Sequence, residues 1–391
     1  MSSGFPSPAF SLLGWWATAT CFVGMVSILP AQTTEWVYHK TADGLHPDGN
    51  EQQMLWLMNR ARANPAAEGL FLADSGDSDI SAGIDYFSVN TTLLKTEFVA
   101  IAAKPPAAFD RRLYEASRVH SLDLIARDAQ DHNNQLTRVT AAGFAYVSAR
   151  VSVFAYASSS LETHGALNID WGPGGLGGMQ AGRGHRAAIM SQQTAFLSNV
   201  GFAAVPEVNR VTNVGPLVFS GAYCSAGNLT RDHYNRFLVG TVWTDSNANT
   251  RYDPGEGLNN VLVQPDRGTF HAVTGVGGGW AIPINSADTY NLTLSGNTLG
   301  GGLARSATVG TESVLLDIKV IPGLPAMSIS FRVEGNGNIL LNWSGGRAPY
   351  QVQQTTNLGE AWTDLGGTTS STTASIKRDG PINFYRVIST R

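Results

Sequence analysis

The stretch Asp245-Ser-Asn247-Ala-Asn249-Thr-Arg251-Tyr-Asp253-Pro-Gly-Glu256 sets oxygen-bearing groups at alternate positions and closes on a carboxylate at its twelfth. A hard cation such as Ca²⁺ takes several oxygen ligands, and this spacing curls them around one ion. Asp245, Asn247 and Asn249 would offer side-chain oxygens and Arg251 its carbonyl. Asp253 would bind directly or through water, and Glu256 through both oxygens. Thr250 stands where an EF-hand needs glycine, and strand-like GTVW and NVLVQ flank the loop, so a structural calcium site in a β setting is expected. The competing reading is an Asn- and Asp-rich turn that binds nothing. Other chemistry has less support: Gly-x-Ser-x-Gly is absent, which removes one hydrolase signature.

The elements that must position such groups follow from periodicity. Residues 51–65, EQQMLWLMNRARANP, carry apolar residues at helical spacing and stop at Pro65; a second helix starts at Asp110 and runs through RRLYEASRVHSLDLIARDAQDH. Strands are expected at NVGFAAV and GPLVFSGAYC. From Phe237 onward, short alternating runs between Gly, Asn and Asp turns indicate small β-sandwiches. Trp343, Tyr350, Trp362 and the Phe384-Tyr385 pair are expected as core of the last module rather than as a carbohydrate-binding face.

Composition sets the compartment. The 391-residue chain is 43% hydrophobic and 14% charged, with a formal charge of −4, which gives nucleic acid no electrostatic reason to bind. Phe10 to Leu29 is apolar and is followed by Pro30-Ala31-Gln32, the pattern of a signal peptide cleaved near Ala31; a retained anchor is the alternative. Either way the bulk of the protein is expected secreted or at the cell surface, with no further membrane span. Cys21 lies in that segment. Cys224 would then be the lone thiol of the mature chain, expected as a buried hydrophobe.

Several pieces between Glu51 and Ala226 resemble the CAP family, the superfamily of cysteine-rich secretory proteins, antigen 5 and pathogenesis-related-1 proteins. They are EQQMLWLMNRARANPAAEG, HSLDLIARD with His132, RVTAAGF, Gly184-His185-Arg186 with Ile189-Met190, and NVGFAAV. The resemblance implies an α+β fold, an α-β-α sandwich, followed here by two small all-β sandwich domains. Residues 237–320 resemble the B-type domains of Ser-Asp-repeat adhesins, and 326–391 a fibronectin-III-like domain. The implied plan is a signal peptide over 1–31, a linker over 32–50, a CAP-like domain over 51–226 and the two β domains.

The CAP resemblance also implies a cleft with two histidines and two acids that can hold a divalent metal such as zinc. His132 and His185 match the histidines. The first acid falls on Val151, Asn199 stands where many relatives carry Glu, and Glu162 and Asp170 are the nearest remaining carboxylates. Imidazoles without a carboxylate under-ligate a divalent ion and leave no obvious general base. The expectation is therefore a binding module for an extracellular ligand or surface polymer. A metal-dependent extracellular hydrolase using His132 and His185 is the alternative, and a purely structural spacer the third. His120 and His164 are expected as core histidines.

Overall fold

The computed structural model describes residues 33–208, 211–299, 302–320, 327–357, 360–377, 380 and 383–389, with the side chain of Thr298 left aside. The apolar leader expected over 1–31, with Cys21 and the cleavage point near Ala31, lies outside them, as does the Pro322–Pro325 linker. In chain order the helices are α1 (Gly49–Ala63), α2 (Pro65–Ala73), α3 (Ser78–Tyr86), α4 (Thr91–Val99), α5 (Arg111–Arg127), α6 (Gln135–Ala141), α7 (Ser160–Ile169) and α8 (Gly184–Ile189). The first strands are β1 (Thr34–Glu35), β2 (Ala108–Phe109), β3 (Tyr146–Ala157), β4 (Asn199–Pro206) and β5 (Leu217–Ala226). Next come β6 (Phe237–Thr244), β7 (Leu262–Pro265), β8 (Phe270–Val273), β9 (Gly279–Pro283), β10 (Asp288–Ser295), β11 (Leu303–Val309), β12 (Val314–Leu315) and β13 (Ile318–Val320).

The helix boundaries have local causes. Asp48 and Glu51 form a reciprocal capping box at the start of α1, and Asn64 caps α2 with Pro65 in its first turn. Asp110 caps α5, which ends on Asp128 in a left-handed conformation. Ser159 caps α7, whose end is Asp170, again left-handed.

Strands β2-β4-β5-β3 form one sheet in that order. Helix α5 lies so close to it that a Cβ on Gly201 would come within 2.0 Å of the Tyr114 nitrogen. Only glycine allows that approach, and Ser117 Oγ donates to the Gly201 carbonyl across it. Met54 and Met58 of α1 share a core with Val200, Phe202, Phe219 and Tyr223 of the sheet. Two buried residues pin α1 there. Asn59 exchanges two hydrogen bonds with the Ala107 backbone, and Arg62 donates to the Ile189 and Leu197 carbonyls.

A five-stranded sheet, β1-β8-β7-β10-β11, faces a smaller one in which β12, β13 and β9 all pair with β6. Leu238, Val242, Val263, Ile282, Leu292 and Ile318 fill the space between them. The last strands, β14 (Ser328–Val333), β15 (Ile339–Ser344), β16 (Tyr350–Thr355), β17 (Thr363–Asp364), β18 (Thr373–Ile376) and β19 (Phe384–Ser389), form two three-stranded sheets. These close over Leu341, Trp343, Tyr350, Val352, Ile376 and Val387, so Trp343 and Tyr350 are core.

The expected class, an α-β-α sandwich followed by two small all-β domains, is corrected. The described residues form more strand than helix, with the strands in five sheets and eight α-helices of only 6 to 17 residues. Within residues 32–50, read as linker, Thr34–Glu35 form a strand and the chain after it packs against the sheets. Trp36 and His39 are buried, and burying them requires a partner for the backbone that carries them. Thr34 and Glu35 therefore pair in parallel with Phe270 and His271, and His39 Nε2 bonds the Val273 carbonyl.

One acid at the seam between α1 and the second pair of sheets has a stability consequence. Asp317 accepts a hydrogen bond from the Thr241 nitrogen, and burial pushes its pKa from 3.8 to about 6. Between those values the folded chain holds a proton that the unfolded chain has released, so this group's contribution to stability falls as pH rises through that window. Asp317→Asn removes the charge. We expect it to raise stability near pH 7 by up to about 3 kcal/mol, read as a higher unfolding midpoint, and to flatten the profile between pH 4 and 6, measured by thermal unfolding across a pH series.

Candidate functional site

The two histidines implied by the sequence resemblance stand side by side, with ring centroids 5.9 Å apart at 34°. Their surroundings fix both rings. Asp170, buried at the end of α7, accepts from the His185 backbone nitrogen at 3.0 Å and pairs with His185 Nδ1 at 2.8 Å. A carboxylate accepts only, so Nδ1 carries a hydrogen, and the neutral ring has its lone pair on Nε2. His132 Nδ1 lies 2.9 Å from Gln135 Oε1. The Gln135 amide nitrogen donates to the Ser152 and Gly221 carbonyls, which orients its oxygen toward the ring and sets the same tautomer.

The carboxylates do not complete a ligand set with these rings. Asp170 is committed to His185, and Glu162 Oε2 accepts from the nitrogen of Ser158. Val151 sits on β3 and offers no oxygen, and buried Asn199 donates to the Tyr234 carbonyl. Among the described residues, one group of three His, Cys, Asp or Glu side chains lies within mutual reach of an ion: His46, Asp48 and Glu51. Sequence reasoning missed it, although the Asp-x-x-Glu spacing was there to read. Its oxygens are already engaged in capping α1, and Glu51 Oε2 also holds His46 Nδ1 at 2.7 Å.

His120 and His164 are both buried, as expected. His120 bonds the Asp131 carbonyl, and His164 pairs with Glu68 at 2.8 Å. Burial works against the Glu68 charge, yet His164 and Arg60 hold its carboxyl below the usual range. Cys224 is buried and free, and desolvation pushes its thiol pKa far up, which leaves it inert as a nucleophile.

His185 lies on the wall of a cleft of about 680 Å³ bounded by α3, β3, α7 and the loop from Trp171 to Gln180. Its floor is aromatic. Phe87 stacks on Trp171 at 6.2 Å, and Gly83 gives the Trp171 ring its place, since a Cβ there would come within 2.5 Å of it. Tyr86 and Tyr156 stand at the rim, and Asp79, Glu162, Gln130 and Gln180 supply polar groups. These residues are spread over a hundred positions of sequence, and no local pattern announces their convergence.

The loop from Asp245 to Glu256 folds as a self-bonded ring. Asn247 and Asn249 each direct an amide nitrogen at Asp253 Oδ2, Thr250 N donates to Asp245 Oδ2, and Glu256 accepts from the nitrogens of Ser246 and Asp253. Thr250 takes the left-handed turn without glycine, at φ 64°. The Asp245 side chain is only 9% exposed, and its Oδ1 is buried with no hydrogen-bond partner. Its other oxygen, Oδ2, pairs with Lys319 Nζ at 3.2 Å, and a buried orphan oxygen costs free energy unless something satisfies it. Gln53 of α1 donates to the Tyr252 carbonyl and to Asp253 Oδ1, so the loop leans on the helix. Arg251 lies over the Phe71 ring.

No family model matches this chain, and no curated protein matches it. Solved structures do. One is a DUF3823 family protein from Bacteroides ovatus, 19% identical over 39% of this chain and 88% of its own, with a TM-score of 0.17. Another is a candidate carbohydrate-binding protein from Bacteroides uniformis, 14% identical over 40% of this chain and 80% of its own, with a TM-score of 0.18. The resemblances read from the sequence to the CAP family, to adhesin B-type domains and to a fibronectin-III-like domain are corrected: no family model supports them. Of that description, the β-sandwich architecture is what the structure retains.

The grip of Asp170 on His185 gives a direct test. Ring ¹⁵N shifts are expected to report the Nδ1–H tautomer in the native chain. Asp170→Ala should abolish that preference and cost about 1–3 kcal/mol of stability, because two donors lose their acceptor. Unchanged ring shifts in the variant would refute the assignment.

Proposed function

We propose that this chain is an exported binding protein that takes its ligand in the cleft floored by Phe87 and Trp171. The observation that carries this reading is the cleft itself: roomy, aromatic, rimmed by exposed tyrosines, and furnished with positioned polar groups rather than an activated nucleophile. The apolar leader is the support for export. Among the described residues no helix is long and apolar enough to cross a membrane. A panel of soluble oligosaccharides, short peptides and fatty acids, titrated calorimetrically, tests the proposal. A ligand that binds the native chain, binds Trp171→Ala about tenfold more weakly, and is recovered unaltered is the expected result.

A second reading, hydrolysis with a divalent metal on His132 and His185, draws on the facing rings and their fixed tautomers. It requires turnover that disappears in His185→Ala, together with zinc that co-purifies with the native chain. Turnover without that dependence, or no turnover, removes it.

The β module carries a structural calcium ion in the loop from Asp245 to Glu256. Asp245 Oδ1, the oxygens of Asn247, Asn249 and Asp253, the Arg251 carbonyl and Glu256 are its donors, with the asparagine amides turned so that oxygen faces inward. The orphaned Asp245 oxygen is the support. Calcium at a hundredfold excess over its Kd should stabilise the full chain by roughly 2.7 kcal/mol. Chelator should reverse the gain, and Asp245→Ala should abolish it. An unfolding midpoint indifferent to calcium would refute the site.

A further inference from the structure

The aromatic rim of the cleft carries a strained residue. β3 and β5 pair in register from Ser148 to Phe154, then slip between Phe154 and Ala157, so β3 bulges at Ala155 and Tyr156. Tyr156 sits there at φ 66°, a conformation that is disfavoured for a bulky side chain and that glycine or asparagine would take more readily. Its backbone nitrogen is satisfied by the Val214 carbonyl, but its ring is not buried for shelter: the residue is 53% exposed at the cleft. Tyr86, at the end of α3, is 83% exposed on the same cleft. Water-facing tyrosines gain little for the fold, and strain held at a rim is the mark of a site shaped for a ligand.

The chemistry of the lining narrows the ligand. Asp79 and Glu162 face the cleft, Asp79 Oδ2 accepting from the Ser158 hydroxyl and Glu162 Oε2 from the Ser158 nitrogen, which leaves each a second oxygen. Gln130 and Gln180 add amides. Among the described lining residues there is no Lys or Arg, and His185, which could carry a positive charge, already faces the Asp170 carboxylate at 2.8 Å, so an anionic ligand finds little compensation. The bulge also interrupts β3, an outer strand of its sheet, which spoils the ladder an extended peptide would need. What remains is a molecule with apolar faces to stack on tyrosine and many hydroxyls to donate to carboxylates.

We infer that the cleft binds a neutral saccharide chain, with Tyr156 and Tyr86 as stacking platforms and Asp79 and Glu162 as hydroxyl acceptors. This rests on the reading of the chain as a binding protein and names the ligand class for the same site.

The test uses the full chain and calorimetric titration with maltohexaose, cellohexaose, xylohexaose and chitohexaose, with polygalacturonate and a tryptic casein digest in parallel. At least one neutral hexaose is expected to bind and polygalacturonate is not. Tyr156→Gly should weaken sugar binding about tenfold without lowering the unfolding midpoint, because it relieves the backbone strain while removing the platform. Tyr86→Ala, an exposed helix-end change, should weaken binding with the fold intact. Binding of casein peptides but of no hexaose overturns the saccharide inference and leaves a binding protein. Binding of nothing in either set overturns both. Equal affinity of the two tyrosine variants and the native chain also overturns the inference.

Discussion

Helix α1 is buried on its polar side as well as its apolar one, and that constraint organises the chain from residue 33 to 320. Gln52, Gln53, Asn59 and Arg62 are all buried. Each must find a partner or leave a desolvated polar group costing about 1–3 kcal/mol. Asn59 and Arg62 find theirs beside the first sheet, in the backbone of Ala107, Ile189 and Leu197. Gln52 and Gln53 find theirs on the opposite side, in Thr241 and in the Tyr252–Asp253 turn. Gln52 Oε1 and Arg62 Nη2 are left without a partner, but the bonds that are made tie the helix to both sides, and it cannot rotate or slide without breaking several of them at once.

The cleft depends on that register indirectly. Asn50 at the start of α1 accepts from Ser160 Oγ at the start of α7, and α7 carries Glu162 at its first turn and Asp170 at its end. Asp170 then fixes both the ring of His185 and the start of α8. Glu97 of α4 binds both Arg183 and buried Arg186, which hold the loop between Trp171 and α8 from the other side. The floor of the cleft is thus placed by a short series of carboxylate contacts, each reporting to a helix end. Trp171 needs no bond of its own, since Gly83 and Phe87 leave it one position.

Much of this was legible in sequence where the determinant is local. The helices over 49–63 and 111–127 follow from their apolar stripes and from Asp48, Asp110 and Pro65, and the core histidines follow from their apolar settings. The ring of Asp245 to Glu256 was legible as a turn because alternate Asx side chains bond the backbone two residues on, as Asn247 and Asn249 do. What was not legible is what tertiary packing decides. The short strand at Thr34 lacks an alternating pattern and exists because β8 is beside it. The aromatic cleft gathers residues from four elements, and the bulge at Tyr156 leaves no mark in the run VFAYASS. Motif fragments in the right order suggested a family that no profile comparison supports, because fragments of that length are each satisfied by common helix and turn chemistry.

The pairing of β1 with β8 joins residues more than two hundred positions apart. A strand of two residues contributes little by itself, yet it closes a loop containing the whole of the first sheet and all eight helices. That contact belongs to the last stages of assembly: the early part of the chain must wait, unlatched, until Phe270 and His271 have been made and folded. About seven tenths of the chain, everything up to His271, must therefore be present before this loop can close.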